Sequence, residues 1–157
     1  MQLLMLMNTT PHYFKIVLSI APLLALTACS TQTPETLVTF ADARTLPAQA
    51  SDIGEAGDSV GDILTFDQPL LDADMNAIGN NSGFCIRTRV AHSFQCQWTL
   101  MFDNGSIQVA GREFDQGTST ISIVGGTGDF AGITGDMEST NTGDGLFRQV
   151  LRYRLTR

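Results

Sequence analysis

The chain has 157 residues and a formal net charge of −7, with 9 basic side chains against 16 acidic ones. This length accommodates one domain with a single core. Because nucleic-acid binding depends on basic side chains that neutralise phosphates, the acidic balance argues against a nucleic-acid partner. The 15 glycines and the frequent β-branched residues favour an all-β domain.

The first 28 residues have the pattern of an export signal. Lys15 precedes an apolar run at residues 16–26, which is too short for a bilayer that needs about 20 residues. Positions 26–29 read Leu-Thr-Ala-Cys and resemble the bacterial lipobox, in which the cysteine is diacylated and becomes the mature N-terminus. We therefore predict a signal peptide over residues 1–28 and lipidation of Cys29. The alternative is an ordinary signal peptide followed by a chance cysteine.

The segment after the predicted lipid site has the composition of a tether. Residues 29–35 are polar and contain Pro34, as expected of a short flexible linker. Ser30 follows the cysteine, and this resembles the enterobacterial signal for sorting to the outer membrane. The expected localisation is the bacterial cell envelope. The lipid anchor would lie in the outer membrane, with a folded domain at residues 36–157 on the periplasmic or surface face.

Short segments in which apolar and polar residues alternate predict β-strands along the rest of the chain. Residues 43–58 are rich in small and polar side chains and are expected to form a loop. Pro69 lacks the N–H that a central strand needs, so residues 67–69 are expected to form a turn. Eight strands can close into a barrel without exposed edges. The predicted strands are residues 36–42, 60–66, 82–90, 93–102, 105–111, 118–124, 131–139 and 146–155.

A glycine-rich stretch, Gly-Gly-Thr-Gly-Asp-Phe, occupies positions 125–130. Its three glycines in four positions supply the positive-φ conformations that glycine adopts at low cost. We therefore expect a strand, a glycine turn and a second strand. A phosphate-binding loop would instead require Gly-Lys-Ser/Thr at the start of a helix, and no lysine follows this stretch.

Four motifs in chain order resemble those of the dirigent proteins and the allene oxide cyclases. They are Gly-Asp-Ile-Leu-Thr-Phe-Asp-Gln-Pro-Leu at 61–70, Ile-Gly followed by Gly-Phe-Cys within 78–85, Ile-Gln-Val-Ala-Gly at 107–111, and the glycine hairpin. The resemblance implies an all-β fold, an eight-stranded antiparallel β-barrel of the allene oxide cyclase and dirigent type, preceded by the signal peptide. It also implies a homotrimer, which both families commonly form.

The hairpin at residues 84–102 decides which side chains face the barrel interior. Strand alternation places one apolar set on the inner face: Phe94, Cys96, Trp98, Leu100 and Phe102. On the preceding strand, alternation alone would turn Phe84 and Ile86 inward. The cyclase resemblance instead places Cys85 inside and leaves Phe84 and Ile86 for a subunit interface, and we favour that arrangement. Cys85 and Cys96 either form a disulfide or remain two buried thiols.

The interior of such a barrel is expected to bind a small apolar or aromatic molecule. The predicted substrate-binding residues are Leu64, Phe66, Cys85, Phe94 and Trp98. No cofactor is expected, and no metal site, because the mature chain has one histidine, His92, and no Cys-x-x-Cys pair. No Gly-x-Ser-x-Gly nucleophile motif occurs either.

Acid chemistry is the remaining route to catalysis. The dirigent resemblance implies two pocket acids, one on the first strand and one in the glycine hairpin. Asp129 matches the hairpin position directly and Asp42 matches the first-strand position approximately, so both are predicted catalytic residues. The alternative is that both are solvated turn acids. The chain departs from the two families at Ala41, where the cyclases have a glutamate, and at Thr134, where dirigent proteins have an arginine.

Three hypotheses about function follow from these patterns. The first is a cofactor-free cyclase, isomerase or stereochemical guide that confines a reactive apolar substrate. The second is a non-catalytic carrier of lipid-like or aromatic molecules. The third is an envelope interaction module whose interior is fully packed.

Overall fold

The structure is a computed structural model that describes residues 33–156. The predicted signal peptide, Cys29 and most of the tether lie outside the described residues. Within residues 33–156 the secondary structure consists of strands and turns, and no helix suited to crossing a membrane is found there.

Nine strands follow one another along the described chain. Eight of them are long, and β2 is a short strand inside the segment that was expected to be a loop. The strands are β1 Glu35–Asp42, β2 Gln49–Ser51, β3 Ile63–Leu71, β4 Ala77–Arg89, β5 Ser93–Phe102, β6 Gly105–Phe114, β7 Thr118–Gly128, β8 Ile133–Asn141 and β9 Leu146–Leu155.

The eight long strands form a closed antiparallel barrel. Consecutive strands from β3 to β9 pair with one another, and β9 pairs with β1. The ring closes where β1 meets β3, through the pairs Phe40 with Leu71 and Ala41 with Leu70. The short β2 pairs only with β3, outside this ring. The predicted eight-stranded antiparallel barrel is therefore confirmed.

The predicted turn at residues 67–69 is wrong, because β3 continues through Pro69 to Leu71. On one side, Pro69 pairs with Asn80 of β4. On the other side, β2 pairs with residues 63–65 and β1 with residues 70–71, so Pro69 has a neighbouring strand on one side only. A proline is tolerated at such a position because no ladder hydrogen bond is required of it there.

The predicted glycine turn lies further along the chain than expected. β7 runs through Gly125 and Gly126 to Gly128, and the turn is formed by residues 129–132. Of the three clustered glycines, only Gly128 has a positive φ, of 59°. Gly126 serves a different purpose: a Cβ at this position would lie 2.5 Å from the carbonyl oxygen of Phe130. Glycine is required there because the turn folds back against the strand.

The two ends of the barrel differ in how they are filled. We call the end with the turns at residues 103–104 and 129–132 the closed end. There, Phe102 and Phe130 pack with ring centroids 5.1 Å apart against the buried core. Fully buried apolar side chains of that core include Leu70, Leu100, Ile107, Ile121, Met137 and Leu151. The opposite end, with the turns at residues 90–92, 115–117 and 142–145, is called the open end because it contains a cavity.

Cys85 faces the interior, as the cyclase resemblance implied. It lies directly opposite Cys96 in the β4–β5 register, and the two sulfurs form a disulfide with an S–S distance of 2.01 Å. Because directly opposed residues share a face of the sheet, Cys85 must point inward with Cys96. Phe84 and Ile86 are consequently on the outer surface, 42% and 39% exposed. The alternative drawn from strand alternation alone, with these two side chains inside, is wrong.

Candidate functional site

A cavity of about 530 Å³ occupies the open end of the barrel. This volume lies within the range of about 300–1,000 Å³ that is usual for small-molecule sites. All five residues that were predicted to bind substrate line it: Leu64, Phe66, Cys85, Phe94 and Trp98. Their placement in the cavity is established by the structure, whereas their binding of a substrate stays a prediction.

Aromatic side chains form much of the cavity wall. Phe66 and Trp98 meet edge to face with ring centroids 6.3 Å apart. Trp98 is only 5% exposed, and its indole Nε1 is buried without a hydrogen-bond partner among residues 33–156. The wall is therefore largely apolar, and the indole N–H is a donor left without a partner.

Buried amides add a polar patch to the cavity lining. Thr39 Oγ1 donates a hydrogen bond to Gln149 Oε1 at 3.0 Å, and Gln149 Nε2 donates to Asn81 Oδ1 at 3.2 Å. Gln68 is also buried and lines the cavity beside Asn81 and Gln149. Because buried polar groups are costly unless they are hydrogen-bonded, this network fixes the orientation of two of the amides.

Glu113 is one of two carboxyl groups on the cavity lining; the other, Asp115, is paired with Arg87. Ser139 Oγ donates a hydrogen bond to its Oε1 at 2.9 Å, while Oε2 is buried without a partner among the described residues. Burial raises the pKa of Glu113 from 4.5 to about 7, against the opposing effect of hydrogen bonds from the Ser139 and Ser119 hydroxyls. A carboxyl group with such a pKa can either donate or accept a proton near neutral pH.

Sequence reasoning missed Glu113 because it ended the sixth strand at residue 111. The structure extends β6 to Phe114. Ile107 and Val109 are fully buried, and two further steps of two residues along the same face lead to Glu113. A glutamate that continues an apolar inward face was the signal in the sequence that could have identified it.

A charged cluster borders the cavity at the open end. The Arg87 guanidinium contacts Asp115 through Nη1 at 2.7 Å and Asp58 through Nε at 2.6 Å. It also stacks over the Phe94 ring, 3.6 Å from the centroid. An adjoining cleft of about 430 Å³ shares Arg87, Phe94 and Leu64 with the cavity. Arg87 therefore lines both the cavity and the adjoining cleft, and its charge is already paired with Asp58 and Asp115.

The structure does not bring Asp42 and Asp129 together or place either one on the cavity lining. Asp42 is 6% exposed and forms an ion pair with Arg44 at 2.8 Å. The hydrogen bond from Arg44 holds the pKa of Asp42 below its usual range. The side chain of Asp42 points away from the cavity, because the neighbouring residues Ala41 and Ala43 line the cavity and successive side chains of a strand alternate between its two faces.

Asp129 lies in the exposed turn between β7 and β8, at the closed end of the barrel. Its Oδ2 accepts a hydrogen bond from Asn104 Nδ2 at 2.9 Å. Neither Asp42 nor Asp129 therefore lines this cavity, and a catalytic role for either stays a prediction. One points to the outer side of its strand, and the other is at the end opposite the cavity. No group of three or more His, Cys, Asp or Glu side chains within residues 33–156 could hold a metal ion.

Comparisons with known proteins agree with this architecture. The closed barrel resembles the structure of a pyocyanin demethylase, with a TM-score of 0.65 and 23% identity over 78% of this chain and 100% of that one. It resembles a pterocarpan synthase dirigent protein, with a TM-score of 0.66 and 18% identity over 80% of this chain and 97% of that one.

A Diels-Alderase from Streptomyces koyangensis has a TM-score of 0.63 and 20% identity over 78% of this chain and 64% of that one. At these identities the similarity concerns the fold. A comparison with curated proteins finds no match. The model of the family described as dirigent-like protein matches residues 30–156, which is most of the chain. The chain therefore belongs to the dirigent-like protein family.

Proposed function

We propose that this barrel binds a small, mostly apolar ring compound and acts on it as a cofactor-free cyclase, isomerase or stereochemical guide. Glu113 would transfer the proton that such a reaction requires. The observation that carries the proposal is the position of Glu113 in an apolar cavity, where burial raises its pKa to about 7.

The size and chemistry of the cavity support this function. Its volume of about 530 Å³ suits a molecule of a few rings, and aromatic side chains supply flat apolar contacts. Similar structures include proteins named as a pterocarpan synthase, a cyclase of [4 + 2] cycloaddition and a Diels-Alderase. Ring-forming reactions of that kind gain from confinement, because a cavity holds the substrate in one reactive conformation.

The immediate surroundings of Glu113 define what it can do. The Ser139 hydroxyl holds Oε1 at 2.9 Å and leaves Oε2 without a partner among the described residues, so Oε2 is the atom that would meet the substrate. In the carboxylate form, a poorly solvated Oε2 is a stronger base than an exposed carboxylate. In the acid form it can donate a proton to a substrate oxygen.

A generic proton-transfer probe tests this role without knowledge of the natural substrate. In 5-nitrobenzisoxazole, a base removes the C3 proton while the N–O bond breaks, which yields 2-cyano-4-nitrophenolate. We expect the protein to accelerate this ring opening, with a rate that rises with pH around a midpoint of about 7. Glu113→Gln should lower the rate by about 100-fold, as expected for loss of a general base.

Asp129→Asn is the matched control, because Asp129 is an acid at the closed end of the barrel. It should leave the rate unchanged. The proposed role of Glu113 would be refuted if both variants kept the wild-type rate, or if the midpoint of the wild-type profile lay near 4.5, the ordinary pKa of glutamate.

A carrier without catalytic activity is the second candidate function. It is favoured by one observation: Arg87 and Asp115 at the cavity edge are paired with each other, which leaves Glu113 as the unpaired acid of the described lining. A carrier predicts that Glu113→Gln binds apolar probes as the wild type does and that neither form accelerates the ring opening. Acceleration by the wild type alone would exclude this candidate.

The location and assembly of the protein are further parts of the proposal. We propose a lipid anchor at Cys29 in the outer membrane of a bacterial envelope, supported by the lipobox-like sequence at positions 26–29. Mass spectrometry of protein from its own host should detect an acylated Cys29, and a free N-terminus at another residue would refute this.

We also propose a homotrimer whose interface includes the exposed Phe84 and Ile86. Light scattering that gave a monomer mass would refute the trimer.

A further inference from the structure

Three buried polar atoms of cavity-lining residues have no hydrogen-bond partner within residues 33–156: Arg87 Nε, Trp98 Nε1 and Glu113 Oε2. Of these, Arg87 Nε lies 2.6 Å from Asp58 Oδ1 in an ion pair, which leaves Trp98 Nε1 and Glu113 Oε2. Glu113 has an assigned role in the proposed reaction, whereas Trp98 does not. A buried N–H without a partner costs free energy, because it has given up its hydrogen bond to water. Such a group is therefore informative about the molecule that the cavity accepts.

The barrel register separates Trp98 and Glu113 along the strands. Trp98 lies opposite Val109, and Glu113 lies opposite Phe94, four residues closer to the open end. At about 3.3 Å per residue, their backbone positions are about 13 Å apart along the strands. Trp98 is therefore the deeper of the two groups. A ligand that reaches both must extend along the barrel axis, with one polar group at its inner end.

The chemistry of the inner end follows from the indole group. An indole N–H only donates, so its partner must be an acceptor. Phe66 packs edge-on against the indole with ring centroids 6.3 Å apart, and Cys96, two residues before Trp98 on β5, forms the disulfide with Cys85. A carboxylate or phosphate would lose its hydration in these apolar surroundings without a cation beside it. A neutral oxygen, such as that of a ring carbonyl, is the acceptor that fits.

We propose that Trp98 determines specificity by donating a hydrogen bond to a ring carbonyl, so that the cavity selects aromatic ketones over hydrocarbons of the same shape. This inference rests on the proposed function, because it assigns the substrate class of the same cavity. It assigns Trp98 a recognition role and leaves the proton transfer to Glu113.

The matched probes are 9-fluorenone and fluorene, which share three fused rings and differ by a carbonyl in place of a methylene group. Equilibrium dialysis with the full chain should show that fluorenone binds about three- to tenfold more tightly, as expected for one neutral hydrogen bond. Trp98→Phe keeps an aromatic ring but removes the N–H. In this variant the preference for fluorenone should disappear, while the affinity for fluorene is retained.

A second measurement does not depend on the variant. Trp98 is the one tryptophan of the whole sequence, so the ¹⁵N-labelled protein has a single indole N–H signal. That signal should shift downfield with fluorenone and less with fluorene. Equal affinities of the two probes, failure of both to bind, or an unmoved indole signal with bound fluorenone would each overturn the proposal. The ring-opening assay tests Glu113 separately, so a failure at Trp98 can be distinguished from a failure of the proposed function.

Discussion

Glu113 faces the cavity because β6 keeps its alternation beyond Gly111, and Ser139 on β8 then holds one of its oxygens. The apolar lining residues were predictable, since Phe94 and Trp98 belong to an apolar face that strand period alone defines. The position of a single acid was less predictable. A resemblance in motif pointed to Asp129. Whether the turn that contains Asp129 lies at the open or the closed end depends on how side chains pack throughout the barrel, and a local sequence pattern does not give that information.

The raised pKa of Glu113 has a consequence for stability that does not require a substrate. The folded state holds the proton up to about pH 7, whereas the unfolded chain releases it near 4.5. Between these values the folded state binds more protons, so stability falls as pH rises. At about 1.4 kcal/mol per pKa unit, the wild type should lose up to about 3 kcal/mol across this window.

Glu113→Gln should remove this loss, so the variant should be more stable than the wild type at about pH 8 and similar near pH 5. Urea unfolding at several pH values measures the difference. The carboxyls whose pKa is lowered, such as Asp42 and Asp72, titrate below this window. Parallel pH profiles for the two proteins would contradict the raised pKa of Glu113.

At the level of the strands, the sequence was informative where alternation was unbroken. β5 and β9 have the predicted bounds, 93–102 and 146–155. The sequence was less informative at proline and glycine residues, which favour turns locally but remain within a strand where the pairing allows it. Pro69 stays in β3 because one side lacks a partner strand, and Gly125 and Gly126 stay in β7 because the turn forms after them. Both outcomes depend on pairing across the barrel.

The two adjacent glycines of β7 provide a matched test of how the turn packs. A Cβ at Gly126 would lie 2.5 Å from the Phe130 carbonyl oxygen and 2.8 Å from Ile133 Cγ2, whereas a Cβ at Gly125 would have no atom within 4 Å. Gly126→Ala should therefore lower the free energy of unfolding by about 2 kcal/mol through overpacking. Gly125→Ala should leave it unchanged or raise it by less than about 1 kcal/mol.

Urea denaturation of the two alanine variants measures both effects. Since Gly126 lies at the closed end, we expect Gly126→Ala to leave the binding of apolar probes in the cavity intact at temperatures where it is folded. Equal stabilities of the two variants would contradict the close approach of Phe130 to β7.

At the scale of the whole molecule, the barrel is filled at one end and hollow at the other. Aromatic and aliphatic side chains pack the closed end, and the cavity at the open end combines aromatic walls, an amide patch and Glu113. The resemblance in motifs was sufficient to predict the barrel, and strand period was sufficient to predict the apolar face at Phe94 and Trp98. It was insufficient for the acid, because closure brings β6 and β8 side chains together from distant parts of the sequence.

The pKa of Glu113 is the property on which both the proposed chemistry and the description of the cavity depend. It can be measured directly by following the ¹³C carboxyl signal of Glu113 during a pH titration, with the signal assigned by its absence from Glu113→Gln. The structure predicts a midpoint of about 7. A midpoint near 4.5, the ordinary value for a solvated glutamate, would contradict the account.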